Sequence, residues 1–487
     1  MSIKRNSAYN LIGTIIPLAT SLVTVPLYLR LIGPDRYGVL AIVWLLTGYF
    51  GFFDLGLGHA VTNRIAITKG ETDHDSTKVI CTALWTTIVV GVAAGVLLWI
   101  CGFILFSSVI EANQDIRSES LGALPWIAIG LPFILSVSIP QGVLAGYERF
   151  LSLNIIKVLT GALIQIAPLL VAYQLGPNMG NLVAAVVVVK LLSGLGASLL
   201  CWKYIRIDQL AWWNKTELKS LFKFGGWLTV SNVIGPLMVT FDRIVIGAIA
   251  GPTAVAYYTV PYGLAFRIMV FPASTCSAAF PKLSAVGEAE QNQISRQLLK
   301  LLASVITPLT VAGMLIMRPF LFVWVGEDFS DRAAMIGEVI SIGIWATCFA
   351  VVPLTVLQSR GRTDITAKLH LCQLIPYLAL MLLMTCYFGA VGAALIWAVR
   401  CWVDAWLHFH FSETPIDTTF AKHVAVLAST LALVLSFSSM DPVSLLSRLA
   451  FAIFAVAVLS KEILSFLARF SFLPWNHKLV EPKPWVR

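Results

Sequence analysis

Uncharged apolar stretches of about 20 residues recur from one end of this chain to the other, and they decide what it can fold into. From Val79 to Ile110 no side chain carries a charge. A run of that length crosses a bilayer core about 30 Å thick as a helix, because in lipid every backbone N–H and C=O must find its partner within the protein. The runs are continuous, whereas barrel strands would alternate and be about 10 residues long. Only 12% of the residues are charged and 58% are hydrophobic, against about a quarter charged in soluble domains. The expected fold is an all-α integral membrane protein.

Apolar run length gives about fourteen spans, at 8–32, 37–61, 79–106, 121–145, 152–173, 180–204, 220–250, 253–280, 298–321, 333–358, 367–388, 389–411, 421–439 and 443–467. Positive charge orients them. With the N-terminus inside, 22 of the 34 Lys and Arg residues fall in cytoplasmic segments, and five fall outside: Arg30, Arg36, Arg117, Arg318 and Arg332. Both termini are therefore expected in the cytoplasm. The formal charge of +9 is read as this loop charge, so no nucleic-acid partner is expected. Lys4 and Arg5 precede an apolar run longer than the core of a secretory signal, which reads as the first membrane helix. The eight cysteines form no C-x-x-C pair and are expected as buried thiols.

The chain also carries a weak internal repeat. PQGVLAGYERF from Pro140 faces PLTVLQSRGRT from Pro353 at an offset of 213, which also pairs Arg149 with Arg362 and Gly176 with Gly389. IGPDRYG at Ile32 resembles AGPTAVA at Ala250, at an offset of 218. Six spans are an even number, so both copies start on the same side. The repeat is therefore parallel, a transporter-like plan with its site between two six-helix lobes. The expected organisation is an N-terminal lobe over 1–205, a C-terminal lobe over 206–411, and two extra helices with a tail over 412–487. A basic amphipathic connection around Ile205 to Lys219 separates the lobes, with Trp212 and Trp213 suited to a headgroup interface.

Hydrolase and Walker motifs are missing, so the chain is expected to be no enzyme and to use no cofactor. His408 and His410, two apart, point to different helix faces and read as an interfacial loop rather than a metal pair. Charges inside the membrane are more informative, since each costs several kcal/mol facing lipid. Lys157, Arg448, Lys461 and Glu462 lie near span ends, where snorkelling explains them. Arg400 and Asp404, four apart, are placed to neutralise each other or to act in gating. Asp242, Arg243, Arg267 and Lys190 lie deeper. Neighbours on a helix diverge by about 100°, so Asp242 and Arg243 are not expected to share one partner, and a bridge from Asp242 to Arg267 is the structural alternative to a functional role. Pro17, Pro26, Pro236, Pro261 and Pro272 supply bending points in the first two helices of either half.

One apolar stretch, GYFGFFDLGLGHAVTNRIA from Gly48 to Ala66, takes on a carboxylate at Asp54 and a base at Arg64 among helix-weakening glycines. It reads as a deformable helix with Asp54 about 25 Å below the outer surface, an inner-gate element or a structural salt bridge.

Four stretches carry a family likeness: NSAYNLIGTIIPLATSLVTVPLYLRLIGPDRYGVLAI from Asn6, FFDLGLGHAVTNRIA from Phe52, QGVLAGYERFLSLNII from Gln141 and FDRIVIGAIAGPTAVAYYTVPYGL from Phe241. With them the chain resembles the O-antigen-type polysaccharide flippases of the multidrug/oligosaccharidyl-lipid/polysaccharide exporter superfamily. The resemblance implies an inner-membrane transporter that turns undecaprenyl-pyrophosphate-linked oligosaccharide from the cytoplasmic to the periplasmic face by alternating access. It implies membrane lipids, a polysaccharide polymerase and a chain-length regulator as further partners. It places helices one, two, seven and eight around a central cavity, and on this sequence these carry Arg30, Asp54, Arg64, Asp242, Arg243 and Arg267. Arginine suits a pyrophosphate head because its planar fork binds phosphate bidentately. Arg30, Arg64, Arg243, Arg267 and Lys190 are thus candidate substrate contacts, and Asp54, Asp242, Arg400 and Asp404 candidate gating or ion-coupling groups. Tyr37, Trp44, Tyr49, Tyr257, Tyr258 and Tyr262 are candidates to stack on sugar rings or to pack. A drug or organic-cation antiporter and a lipid II flippase of the same superfamily remain the alternatives.

Overall fold

The computed structural model describes residues 3–49, 56–67, 73–109, 113–202, 215–415, 419–437 and 441–471. They form fifteen helices: α1 (Ile3–Leu31), α2 (Gly33–Tyr49), α3 (Leu57–Ile67), α4 (Asp73–Ile104), α5 (Gln114–Ser136), α6 (Ser138–Gly146), α7 (Phe150–Leu175), α8 (Met179–Trp202), α9 (Lys215–Phe266), α10 (Val270–Ala285), α11 (Glu288–Trp324), α12 (Glu327–Ser359), α13 (Thr363–Ser412), α14 (Thr419–Ser436) and α15 (Pro442–Ser471). Among the described residues nine helical stretches are long and apolar enough to cross a membrane. Two shorter apolar helices, Ala19–Leu31 and Phe420–Ser436, accompany them. The chain is a multi-pass membrane protein.

Two of the long helices each hold two predicted spans. The backbone of α9 leaves helical geometry at Gly251 (φ 82°, ψ 169°) and that of α13 at Gly389 (φ 56°, ψ −141°). Both conformations lie at positive φ, where a Cβ is strained and glycine is not. These are the boundaries expected between spans seven and eight and between eleven and twelve. Predicted span two differs: α2 ends at Tyr49 and α3 starts at Leu57, after a turn at Gly56 (φ 69°). Asp54 and the interfacial Trp212 and Trp213 lie outside the described residues.

The two turns that the offset of 213 aligns share their backbone hydrogen bonds. In the first copy the amides of Tyr147, Glu148 and Arg149 donate to the carbonyls of Val143, Ala145 and Leu144. In the second, Arg360, Gly361 and Arg362 donate to Val356, Gln358 and Leu357, the same offsets. Glu148 and Gly361 both take positive φ, and Arg149 and Arg362 both precede the first turn of the next helix. One helix-ending turn is therefore built twice.

Contacts group the chain into two compact units. One comprises Met1–Leu264, Phe320–Ile340 and Ala367–Arg400; the other comprises Ala265–Pro319, Ser341–Thr366 and Cys401–Arg487. In the first unit small residues let helices approach closely, as membrane packing requires when lipid offers no hydrophobic contrast. Gly91 and Gly95 of α4 meet α5: a Cβ at Gly91 would fall on the Pro132 backbone, and one at Gly95 would stand 2.5 Å from the Ala128 carbonyl oxygen. Gly142 of α6 lies against the Gly58 carbonyl of α3, and Thr62 Oγ1 donates across this joint to the Gly142 carbonyl at 3.0 Å. Leu57, Val61, Ile65, Ile139 and Val143 close an apolar shell around it. Thr62→Val keeps the shape and removes the hydroxyl, so it is expected to cost about 1 kcal/mol, read as a lower thermal midpoint in detergent.

Prolines free carbonyls four residues back by removing an N–H, and the chain supplies other donors. Pro26 deprives the Leu22 carbonyl, and Trp324 Nε1 donates to it at 2.7 Å. In the second unit Pro319 deprives Leu315, and Arg448 donates to that carbonyl at 3.1 Å and to the Phe437 carbonyl at 3.0 Å. Arg448 is thus buried and bonded to backbone. The snorkelling expected from its place near a span end is corrected, because a carbonyl freed by Pro319 and one just past the end of α14 attract the guanidinium more than the interface does. The cysteines need a similar correction: four are buried, but Cys101, Cys372 and Cys386 lie on exposed helix faces, where lipid tolerates an apolar thiol. His408 and His410 sit in the last turns of α13, not in a loop.

Candidate functional site

The Gly251 turn folds the two arms of α9 back on each other, so that Asp242, nine residues before it, meets Tyr258, seven after. Tyr258 Oη donates to Asp242 Oδ2 at 2.8 Å. The same carboxylate takes Arg243 Nη1 on both oxygens, at 2.8 and 3.0 Å. Both residues are buried, Asp242 at 0% exposure and Arg243 at 3%. The counter-charge that the structure gives Asp242 is the adjacent residue. Two neighbours diverge on the helix surface, but the three-methylene stem of arginine is long enough to curl back onto the carboxylate. The pair is closed, net neutral, and kept from lipid, the condition for burying both charges.

The guanidinium also lies on aromatic faces, 4.1 Å from the Tyr262 ring centroid and 5.3 Å from that of Tyr258. The two tyrosines, four residues apart on one helix face, stack at 6.0 Å. Tyr262 in turn meets Trp397 edge-on at 5.3 Å. One turn beyond Trp397, Arg400 lies over the Tyr377 ring at 5.3 Å. Sites of this kind hold a cation by the ring quadrupole as well as by charge. The outcome is two arginines on an aromatic wall within one compact unit, with Arg243 bound to Asp242. Tyr377 and Trp397 escaped sequence reading because nothing in an apolar run marks which aromatic faces a charge; Trp397 lying three residues before Arg400 was the available signal.

Arg30 is exposed in the last turn of α1, and Arg64 is exposed in the last turn of α3. Lys190 is half-buried in α8, and Arg267 half-buried in a short 3-10 turn between α9 and α10. Asp404 belongs with His408 one turn on, its Oδ2 3.5 Å from Nδ1. Tyr37 and Trp44 form a ring cluster with buried Tyr28, at centroid distances of 5.4 to 6.1 Å. Tyr257 packs on Phe329, and the Arg332 guanidinium lies 5.9 Å from its ring centroid. The side chain of Tyr49 lies outside the described residues.

A second ion pair was missed because its partners stand 83 residues apart without a pattern. Arg36 at the start of α2 forks onto Glu119 at the start of α5, at 2.9 and 2.7 Å, and Glu119 also accepts the Met179 amide at the start of α8 at 3.2 Å. One carboxylate thus ties three helix ends. Glu119→Ala is expected to lose about 1 kcal/mol, since charge-assisted bonds here are partly solvated; Arg36→Lys, which lacks the fork, should lose part of that in the same thermal assay.

Residues 3–286 match the family described as polysaccharide biosynthesis protein. The chain is 32% identical to a Shigella flexneri protein named "Putative O-antigen transporter", over 84% of this chain and 97% of the relative. Two solved structures share its fold. The lipid II flippase MurJ in an inward closed conformation is 12% identical with a TM-score of 0.73, covering 95% of this chain and 99% of that one. An inward-facing multidrug resistance MATE transporter is 16% identical with a TM-score of 0.67, covering 86% and 99%. With the family matched across more than half its length, and the Shigella relative across nearly all of that protein, the chain belongs to the polysaccharide biosynthesis protein family of membrane transporters.

Proposed function

We propose that this chain is a flippase that moves undecaprenyl-pyrophosphate-linked oligosaccharide from the cytoplasmic to the periplasmic face of a bacterial inner membrane, for surface polysaccharide assembly. The observation that carries this reading is the likeness to the O-antigen transporter across nearly the whole of that protein. The chain is a transporter, not an enzyme. Fourteen membrane helices in two six-helix lobes, 1–205 and 206–411, with two further helices in 412–487, alternate access around a site between the lobes. The turn repeated at an offset of 213 supports this plan.

Arg243 is the group we assign to the pyrophosphate. A guanidinium fork takes a carboxylate or a phosphate in the same bidentate way, so the two compete for it. In this structure Asp242 holds one arm of the guanidinium, Nη1, on both of its oxygens. Exchange of that carboxylate for the substrate's phosphate keeps the arginine paired at every stage, so the charge is never left bare in the membrane. The tyrosine stack holds the guanidinium plane during the exchange.

Disruption of the gene tests the reading. Cells should remain viable, lose long surface polysaccharide and accumulate lipid-linked units on the cytoplasmic side. Unchanged polysaccharide would contradict it, and death with accumulated peptidoglycan precursor would point to lipid II instead.

A further inference from the structure

The first turns of α11 carry chemistry that the flippase reading does not use. The helix becomes apolar from Leu301, so the residues before it stand where the chain enters the membrane. One face is anchored: Ile294, Ser295, Leu298, Leu299 and Leu302 are buried. The opposite face lines an open hollow of about 450 Å³ with Ala289, Asn292, Gln293, Arg296, Gln297 and Lys300. None of these is acidic. The acids of the first turn are engaged elsewhere, Glu288 with Arg360 at 3.4 Å and Glu290 with Lys282 at 3.8 Å. Arg296 and Lys300 stand one turn apart, where like charges repel. Three amide side chains add neutral donors around them. Among the lining residues, two bases share a face with three amides, a seat for an anion.

We propose that this face binds the phosphate headgroup of a membrane lipid. A phosphate ester suits it: Arg296 offers a planar fork, Lys300 a point charge, and the amides reach remaining oxygens. A headgroup at the cytoplasmic surface lies at the height of these residues, while its acyl or prenyl chain runs along the apolar continuation of α11. The ligand class is a phosphate or pyrophosphate ester of a lipid, supplied by bulk anionic phospholipid or by a prenyl diphosphate. The site stands independently of the flippase reading, since phospholipid would occupy it in any transporter.

The experiment is native mass spectrometry of the full chain released from phosphatidylcholine nanodiscs, titrated in separate arms with phosphatidylglycerol and with undecaprenyl diphosphate. The wild type should retain one tightly held phosphate lipid. Arg296→Gln with Lys300→Gln should weaken it about tenfold or more, each base near a charged headgroup contributing a comparable factor. Gln297→Glu, which keeps a good helix former on an exposed face, should weaken it in the same arm. Arg362→Gln, a base outside the hollow that pairs with Asp364 at 3.5 Å, should not. The arm that responds identifies the source. Unchanged affinity in either site variant, an equal loss in Arg362→Gln, or no retained lipid in the wild type overturns the proposal.

Discussion

Arg243→Ala is expected to stop transport and to destabilise the protein by about 3–5 kcal/mol, because it leaves the fully buried Asp242 carboxylate uncompensated. The Tyr258 hydroxyl and the backbone amide of residue 243 keep their hydrogen bonds to that carboxylate, which neutral donors cannot neutralise. Loss of stability alone would make the arginine structural, so a second variant separates the roles. Asp242→Asn with Arg243→Gln removes both charges and keeps hydrogen-bonding groups of similar size. A neutral pair of similar volume usually restores stability, so the double variant should recover most of the thermal midpoint while surface polysaccharide stays absent. Arg243→Lys should fold and transport poorly, since an ammonium lacks the fork and sits less well on Tyr262. Normal polysaccharide in the double variant would remove Arg243 from the transport cycle.

Gly38→Ala should act on the same site from a distance. Gly38 lies in α2, and a Cβ there would fall on the carbonyl of Pro252, the residue just after the Gly251 turn. Backbone cannot yield as a flexible side chain does, so the helix or the turn must shift. Overpacking of this kind costs about 1–3 kcal/mol. The turn sets the register that brings Tyr258 to Asp242, so the variant should also lower transport without touching a charged residue. Gly122→Ala, where a Cβ would meet nothing within 4 Å, is the control and should leave both readouts unchanged. Equal effects of the two substitutions would show that the close approach at Pro252 carries no weight.

Which parts of this were legible in the sequence follows from what a one-dimensional pattern encodes. Gly-Pro at 251–252 and the glycine at 389 gave their turns away, because only a small set of residues tolerates that backbone. The like turns at 147–149 and 360–362 were readable for the same reason: such a turn constrains several residues at once. Charge singled out Asp242 and Arg243 as costly to bury. Their pairing with each other was missed, since helical angles describe where Cβ atoms point and not how far an arginine bends back. Tyr377 and Trp397, the Arg36–Glu119 fork and the carbonyls capped by Trp324 and Arg448 all depend on contacts between distant segments, which no local period records. The break between α2 and α3 was half-legible: glycines flagged the stretch, but apolar length argued for one continuous span.

Translocation in proteoliposomes tests the central claim most directly. The purified chain is reconstituted with a fluorescent oligosaccharide linked to undecaprenyl diphosphate in both leaflets, and a membrane-impermeant glycosidase is added outside. Wild-type vesicles should lose nearly all of the label, because inner-leaflet lipid is carried outward, while vesicles with the Asp242→Asn, Arg243→Gln variant should stop near half, as protein-free vesicles do. Wild-type vesicles that also stop near half, or a variant that empties them as fast as wild type, would contradict flipping through the Arg243 site.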